Sequence, residues 1–358
     1  MSVAVIEGRE ERITLRMGAG GRSMRTLIQE VFIGNAAHAA HAASAASAAL
    51  PATGVGLDAM DDGAALPLGD QFLVLTTDSH VIHPLFFPGG DIGRLAVAGT
   101  VNDLAMMGAT EVLGLTCGVI VEEGFRRADL ERIQRSMEGT CREAGTAIVT
   151  GDTKVMGKGE LDGLVLNTAG AGLTDRVVRD SGLRPGDRLI VTGTMGDHGF
   201  AVLAARHGLD LEGDLASDVA PINGLVRAVL AAAGWGIAAM KDPTRGGLAS
   251  ALHEMAAKSG VGILLEEPRV PVTSAVRAAS EMLGIDPLHV ANEGKAVLGV
   301  RPEAVDRVLA ALHAHPQGRA AAVVGVCNDD TRGRVVLDTG VGRRLLAEPE
   351  GELLPRIC

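Results

Sequence analysis

Aspartates recur in this sequence where an apolar run ends or a glycine follows. Asp61-Asp62-Gly63 precedes a predicted strand, Thr76-Thr77-Asp78-Ser79 ends one, and Val101-Asn102-Asp103 lies in a predicted helix. Gly151-Asp152-Thr153 follows another strand, and Lys241-Asp242-Pro243-Thr244-Arg245-Gly246-Gly247 opens a helix. Carboxylates at strand ends converge on one rim of a sheet. Mg²⁺ is hard, prefers oxygen ligands and joins one or two carboxylates to substrate phosphates, so the set fits a metal–triphosphate site. One such aspartate alone reads as a turn residue or helix cap, but several in these settings point to chemistry. In the last motif Asp242 or Thr244 is expected to cap a helix whose N-terminus also suits an anion.

Familiar nucleotide motifs are defective. Gly151 to Gly159 imitates a phosphate-binding loop with one residue too many, and Gly159 stands where a Ser or Thr would hold Mg²⁺. Gly54-x-Gly56-x-x-Ala59 imitates a dinucleotide fingerprint without a convincing strand before it. The four cysteines, Cys117, Cys141, Cys327 and Cys358, form no CxxC pair and have no zinc or disulfide spacing, which suits a reducing cytoplasm. Three lie in apolar or amphipathic runs and read as buried thiols, whereas Cys358 is the last residue. His38 and His41 share a helical spacing but have no third ligand nearby.

The elements that must position these groups alternate between strands and helices. A chain of 358 residues is long enough for two domains. Hydrophobic residues make up 47% and charged residues 22%, ordinary globular values. Aromatics are 2%, with no Tyr, so the core must be aliphatic and the composition argues against aromatic stacking platforms for single-stranded nucleic acid. A formal charge of −11 opposes direct contact with phosphates, and a divalent cation between them removes that objection. The charged N-terminus is no signal peptide. The uncharged but Ala-rich stretch from Gly34 to Leu57 reads as a surface helix or insertion, about residues 35–50, and not as a membrane span.

Strands are predicted at Arg12–Arg16, Phe72–Thr77, Val112–Val121, Ala147–Thr150 and Leu164–Leu173, with helices at Ser23–Phe32, Ile92–Met107 and Leu130–Ala144. Turn chemistry from Gly182 to Asp187 separates this α/β unit, residues 1–181, from a second α/β or α+β unit, 182–346. Two prolines and a glycine make residues 347–358 a mobile arm, whose eleven links span roughly 35–40 Å at ~3.3–3.6 Å each.

The strings TTDSHVIHPLFFPGGDIGRLAVAGTVNDLAMMGA, GDTKV, GDHG, DPTRGG, ANEGK and the terminal PRIC closely resemble the HypE family of hydrogenase-maturation carbamoyl dehydratases. That family lies within the aminoimidazole-ribonucleotide-synthetase-like ATP-binding superfamily. The aspartates and DPTRGG point to the superfamily, and PRIC selects HypE. The resemblance implies a two-domain fold of that superfamily, a cytoplasmic homodimer, and ATP with Mg²⁺ as cofactors. It implies that a carbamoyltransferase, HypF, loads Cys358 with a carboxamide that this chain dehydrates to a thiocyanate. The cyano group then passes to iron on a HypC–HypD complex as a ligand of [NiFe] hydrogenase. By the same resemblance Asp62, Asp78, Asp103 and Asp242 hold Mg²⁺ and phosphates, with Asn102, Asp152 and Thr153 nearby. Gly18, Gly20 and Gly21 belong to a nucleotide loop, Glu293 removes an amide N–H proton, and Lys154 stabilises developing charge or assists proton transfer. His198 in GDHG is read as capping or fixing a loop.

The chain departs from the family pattern in four places. Met17 stands where the family has His before the Gly-rich loop, Lys241 stands where Arg is common, His80 occupies an aromatic position, and the insertion after Asn35 has no counterpart. Two other readings stay open on sequence. One is an ATP-dependent enzyme of the same superfamily acting on a free amide or phosphate acceptor, which predicts turnover without Cys358. The other is a non-enzymatic interaction protein, which predicts no Mg²⁺-dependent ATP binding.

Overall fold

The computed structural model describes residues 12–18, 21–33, 54–209, 214–349 and 357. The Ala-rich stretch 35–50, Gly20 and Cys358 lie outside the described residues. The strand expected at Arg12–Arg16 is instead a 3₁₀ turn at Leu15–Gly18, with Met17 N–H bonded to Thr14 O at 3.0 Å. Ile13 and Leu15 are exposed there, so the alternating pattern has no sheet to bury it. Helix α1 (Gly21–Leu27) follows and widens into a π turn at Ile28–Ile33.

Next come β1 (Ala64–Leu68), β2 (Gln71–His80), the short pair β3 (Phe86–Phe87) and β4 (Gly90–Asp91), α2 (Ile92–Met106), β5 (Glu111–Glu122), α3 (Arg127–Ala144), β6 (Ile148–Met156) and β7 (Leu164–Thr174). They build a sheet of order β1-β2-β7-β5-β6, antiparallel except for the parallel β5–β6 pair. Asp91 caps α2, its Oδ1 accepting from Gly93 N–H at 2.8 Å and Arg94 N–H at 3.0 Å. This helix is mostly apolar because it is enclosed between the sheet, α3 and the second half of the chain, with Asn102 and Asp103 as polar exceptions toward the site. Leu95 is fully buried in it, a contribution of about 1.5–3 kcal/mol. Gly93 allows α3 to approach, since a Cβ there would lie 2.5 Å from Ile133 O. By contrast α3 buries one stripe, Ile133, Met137, Thr140, Cys141 and Ala144, and stops at left-handed Gly145.

The second half contains β8 (Arg188–Val191), α4 (Asp197–His207), α5 (Asn223–Ala233), β9 (Ile237–Lys241), α6 (Gly247–Ser259), β10 (Gly262–Glu266), α7 (Ser274–Leu283), β11 (Val297–Val300), α8 (Val305–Ala314), β12 (Ala322–Asn328), β13 (Val335–Asp338) and β14 (Arg343–Leu345). Its sheet runs β14-β13-β10-β12-β8-β11-β9. Most pairings in both sheets are antiparallel, so the mixed architecture is α+β. The sequence gives little notice of β9 or β14. Ile237-Ala-Ala-Met-Lys is poor in β-branched residues and becomes a strand by pairing with β11, and Arg343-Arg344-Leu345 is an exposed edge held by β13.

Candidate active site

Four carboxylates come together between the two sheets. Asp62 stands just before β1, Asp78 near the end of β2, Asp103 on the facing side of α2 and Asp242 just after β9. Thr76 Oγ1 lies 2.9 Å from Asp103 Oδ2 and 3.0 Å from Asp62 O, fixing α2 against the strand. Burial, followed by the charges of Asp242, Asp78 and Asp62, pushes the Asp103 carboxyl well above its usual range. Burial and then Asp62 push Asp242 up to about 8 against the pull of Lys241. These shifts describe a pocket with more negative charge than its own cations balance. Among the described residues no three His, Cys, Asp or Glu side chains form a metal cage. A surplus of carboxylates without a protein cage fits Mg²⁺ held by one or two of them together with phosphates.

Glu293 completes the cluster. It is 4% exposed, its Oε1 is buried with no hydrogen-bond partner, and burial followed by Asp242, Asp78 and Asp218 raises its carboxyl well above the ordinary glutamate range. Its main chain is held from two sides. Glu293 N–H donates to Asp218 Oδ1 at 3.0 Å, and its carbonyl accepts from Asn102 Nδ2 at 3.2 Å. Asn102 also donates to Ala220 O at 3.1 Å and accepts from Ile222 N–H at 2.8 Å. Both amide protons of Asn102 are therefore engaged with backbone, which makes this expected nucleotide contact a bracket between α2 and the second half. Asp218, which the sequence reading missed, also takes Lys295 Nζ at 3.0 Å.

Lys241 keeps its charge through placement. Burial disfavours the ammonium, but Asp62, Glu254 and Asp180 outweigh this and raise its pKa. Its Nζ lies 2.6 Å from Asp62, 3.3 Å from Glu254 and 3.6 Å from Asp180, three points that a bidentate fork does not span better than a point charge. Arg25 of α1 joins the same network through Glu254 and Glu348. The expected cap of α6 is absent. Gly246, at φ +79°, is the N-cap without a side-chain bond, and Thr244 contributes its carbonyl to Gly247 N–H at 2.8 Å.

A cleft of about 420 Å³ opens beside these groups, lined by Gly21, Arg25, Asp61, Lys241, Asp242, Thr244 and Arg245 among others. Gly21, at φ +66°, packs so closely on Pro349 that a Cβ would lie 2.3 Å from its carbonyl oxygen. Gly18 is exposed at the end of the 3₁₀ turn. His80 is buried, 3.4 Å from Asp78 Oδ2 and 3.3 Å from Thr168 Oγ1, so this departure stands beside Asp78 on the same face of β2 and ties it to β7.

The chain does not bring Asp152, Thr153 and Lys154 to this cluster. They lie on β6, exposed, three strands from β2 and so about 14 Å away at about 4.8 Å per strand. Register places Asp152 beside Gly118, Asn167 and Ser79, on the face opposite Asp78, and Lys154 on that same open face.

Cys117, Cys141 and Cys327 are buried and unpaired, and burial raises each thiol, Cys327 to about 12. Alkylation of the native protein is accordingly expected to spare these three, whereas the unfolded chain takes adducts at all of them. Peptide mass mapping before and after denaturation checks this, and rapid native labelling of any of the three contradicts it.

Residues 60–174 match the AIR synthase related protein N-terminal domain, and residues 184–338 match the corresponding C-terminal domain. The carbamoyl dehydratase HypE of Rhizobium leguminosarum bv. viciae is 46% identical over 97% of this chain and 95% of its own length. This chain belongs to the HypE family. Among solved HypE structures, one in complex with ATP has a TM-score of 0.77 at 40% identity, covering 96% of this chain and 100% of that one. A HypE–HypF complex has a TM-score of 0.79 at 42% identity, covering 90% and 99%. The fold is the two-domain AIR-synthase-like fold of the HypE family. Among the described residues no helix is long and apolar enough to cross a membrane.

Proposed function

We propose that this chain is an ATP-dependent carbamoyl dehydratase that converts a carboxamide on its own Cys358 into a thiocyanate for hydrogenase maturation, in the cytoplasm. The observation that carries this reading is Glu293, a buried carboxyl with one unpartnered oxygen, set among the carboxylates that suit a metal–nucleotide complex. Residues 1–181 form the ATP-binding unit, 182–346 the unit that supplies Glu293 and Asp242, and 347–358 the arm that brings the substrate. HypF loads the thiol, and a HypC–HypD complex receives the cyano group.

Dehydrating an amide requires its oxygen to become a good leaving group, and phosphoryl transfer from ATP to that oxygen does so. Mg²⁺, when bound, shields the phosphates and the developing charge. Asp62, Asp78, Asp103 and Asp242 would hold it with the phosphates, and Lys241 bridges Asp62 and Glu254, holding the Glu254 carboxyl below its usual range against the effect of burial. One N–H proton is lost to solvent as the oxygen is phosphorylated, and Glu293 accepts the second as the C≡N bond forms and phosphate leaves, a task that the raised proton affinity of its carboxyl suits. Asn102 and Asp218 hold its main chain in place.

Lys154 requires a second copy. The open face of the first sheet exposes Leu75, Leu113 and Val149 around an apolar hollow of about 770 Å³. Covering this face with another copy buries the apolar residues and turns Asp152 and Lys154 of one protomer toward the other. Thr153 travels with them on the same strand. In a homodimer closed this way, Lys154→Ala and Glu293→Gln proteins are each inactive and regain activity when their subunits exchange. No recovery after proven exchange places both residues in one protomer's site.

The reading is tested by phosphate release from Mg-ATP. Carbamoyl-loaded protein is expected to release it, and unloaded or Cys358→Ala protein to release little. Equal turnover of an added free amide by Cys358→Ala protein favours the other superfamily activity.

A further inference from the structure

His198 is completely buried at the second residue of α4, in a slot where Phe87 meets it edge-on with ring centroids 5.5 Å apart. Its two ring nitrogens have different partners. Nδ1 lies 2.8 Å from Ser217 Oγ, and Nε2 lies 2.6 Å from the carbonyl oxygen of Ile357. Ser217 Oγ accepts from Val219 N–H at 3.0 Å, which leaves its own proton available to Nδ1. The ring proton of the neutral imidazole then sits on Nε2 and is donated to Ile357. A carbonyl can only accept, so this is the tautomer the network requires. Gly199 makes room for the isoleucine, because a Cβ there would stand 3.1 Å from Ile357 Cδ1 and 2.3 Å from Val290 Cγ1. Ile357 is 6% exposed and belongs to the same core cluster as Phe87 and Phe200.

The residue after Ser217 is Asp218, which holds the main chain of Glu293. Two consecutive residues of one loop thus grip the last peptide of the arm, through His198, and the base, directly. We propose that His198 is a positioning residue that grips the main-chain carbonyl preceding Cys358, with Ser217 fixing its tautomer, so that the loaded thiol is delivered at a set distance from Glu293. Because the grip is on a carbonyl, it reads the position of the residue in the chain, and the isoleucine side chain adds apolar burial. The catalytic consequence rests on the reading that Cys358 carries the substrate, but the docking does not.

The test uses the full chain with His198→Phe, which keeps a ring but removes the donor, and His198→Gln, whose amide N–H reaches to a similar place. Docking is read without ATP or carbamoyl transfer, as the rate at which iodoacetamide alkylates Cys358. The rate is expected to rise about tenfold in His198→Phe, the equivalent of one hydrogen bond, and to return toward wild type in His198→Gln. Single-turnover dehydration of the loaded thiol is expected to slow by a similar factor in His198→Phe with ATP affinity unchanged, again with rescue by Gln. Ser217→Ala is expected to lie between, and the imidazole ¹⁵N shifts of wild-type His198 should report a proton on Nε2. An alkylation rate in His198→Phe equal to wild type overturns the proposal, as does loss of ATP binding and dehydration together in both variants, the mark of a merely structural histidine. Altered alkylation with no dehydration even in wild type leaves the grip standing and counts against the dehydratase reading.

Discussion

Glu293→Gln is expected to load with carbamoyl groups and bind Mg-ATP as the wild type does, and to accumulate the carboxamide. The substitution changes one oxygen for nitrogen and keeps the shape of the buried side chain. The hydrogen bonds that hold residue 293 come from its main chain, to Asp218 and from Asn102, and they survive the change. Only proton acceptance is lost, and general-base contributions are about 10²–10⁴-fold in rate. Single-turnover assays that follow the S-carboxamide over time check this. A Glu293→Gln protein that dehydrates at the wild-type rate removes the residue from the chemistry.

Asp242→Asn is expected to separate ligand binding from stability. With no Mg²⁺ present, burial and then the charges of Asp62 and Asp78 push the Asp242 carboxyl up to about 8. Removing the charge therefore relieves strain in the empty site, and the melting temperature of nucleotide-free protein should stay equal or rise. With Mg-ATP the sign reverses, because the carboxylate is wanted. A charged contact is worth about 1.5–3 kcal/mol, so affinity should fall about 10–100-fold. Calorimetric titration together with thermal melts, each with and without Mg-ATP, reads both quantities. A variant that loses stability without ligand and keeps its affinity would show that Asp242 serves the fold.

Much of the architecture was legible because the periodic pattern was strong where burial was one-sided. The apolar run of α2 places that helix within one residue of where it lies, and the stripe on α3 gives its end but starts it three residues late. Arg12–Arg16 failed for the opposite reason. Alternation over five residues is only a strand if a neighbour offers an edge, and here none is paired to it. The aspartates stand out in sequence by their settings at strand ends, and in the structure the charges of Asp242, Asp78 and Asp62 act on the Asp103 carboxyl. The bracing role of Asn102 was not legible, because a buried amide beside a carboxylate looks the same in sequence whether it meets ligand or backbone. Asp218 and Ser217 gave no warning at all. Their importance arises from a loop folding onto residues 293 and 198, contacts separated by 75 and 19 residues. The GDHG string was the one available signal for His198, and it pointed to a local loop while the partner lay at the far end of the chain.

The central claim, that Cys358 carries a carboxamide which this chain dehydrates, is tested most directly by mass spectrometry of the C-terminal peptide. The wild-type chain is incubated with its carbamoyltransferase and substrates, and Mg-ATP is then added. The peptide ending at Cys358 is expected to gain the mass of one carbamoyl group and then to lose the mass of one water. Persistence of the carboxamide with Mg-ATP present, or a carbamoyl group on any residue other than Cys358, would contradict it.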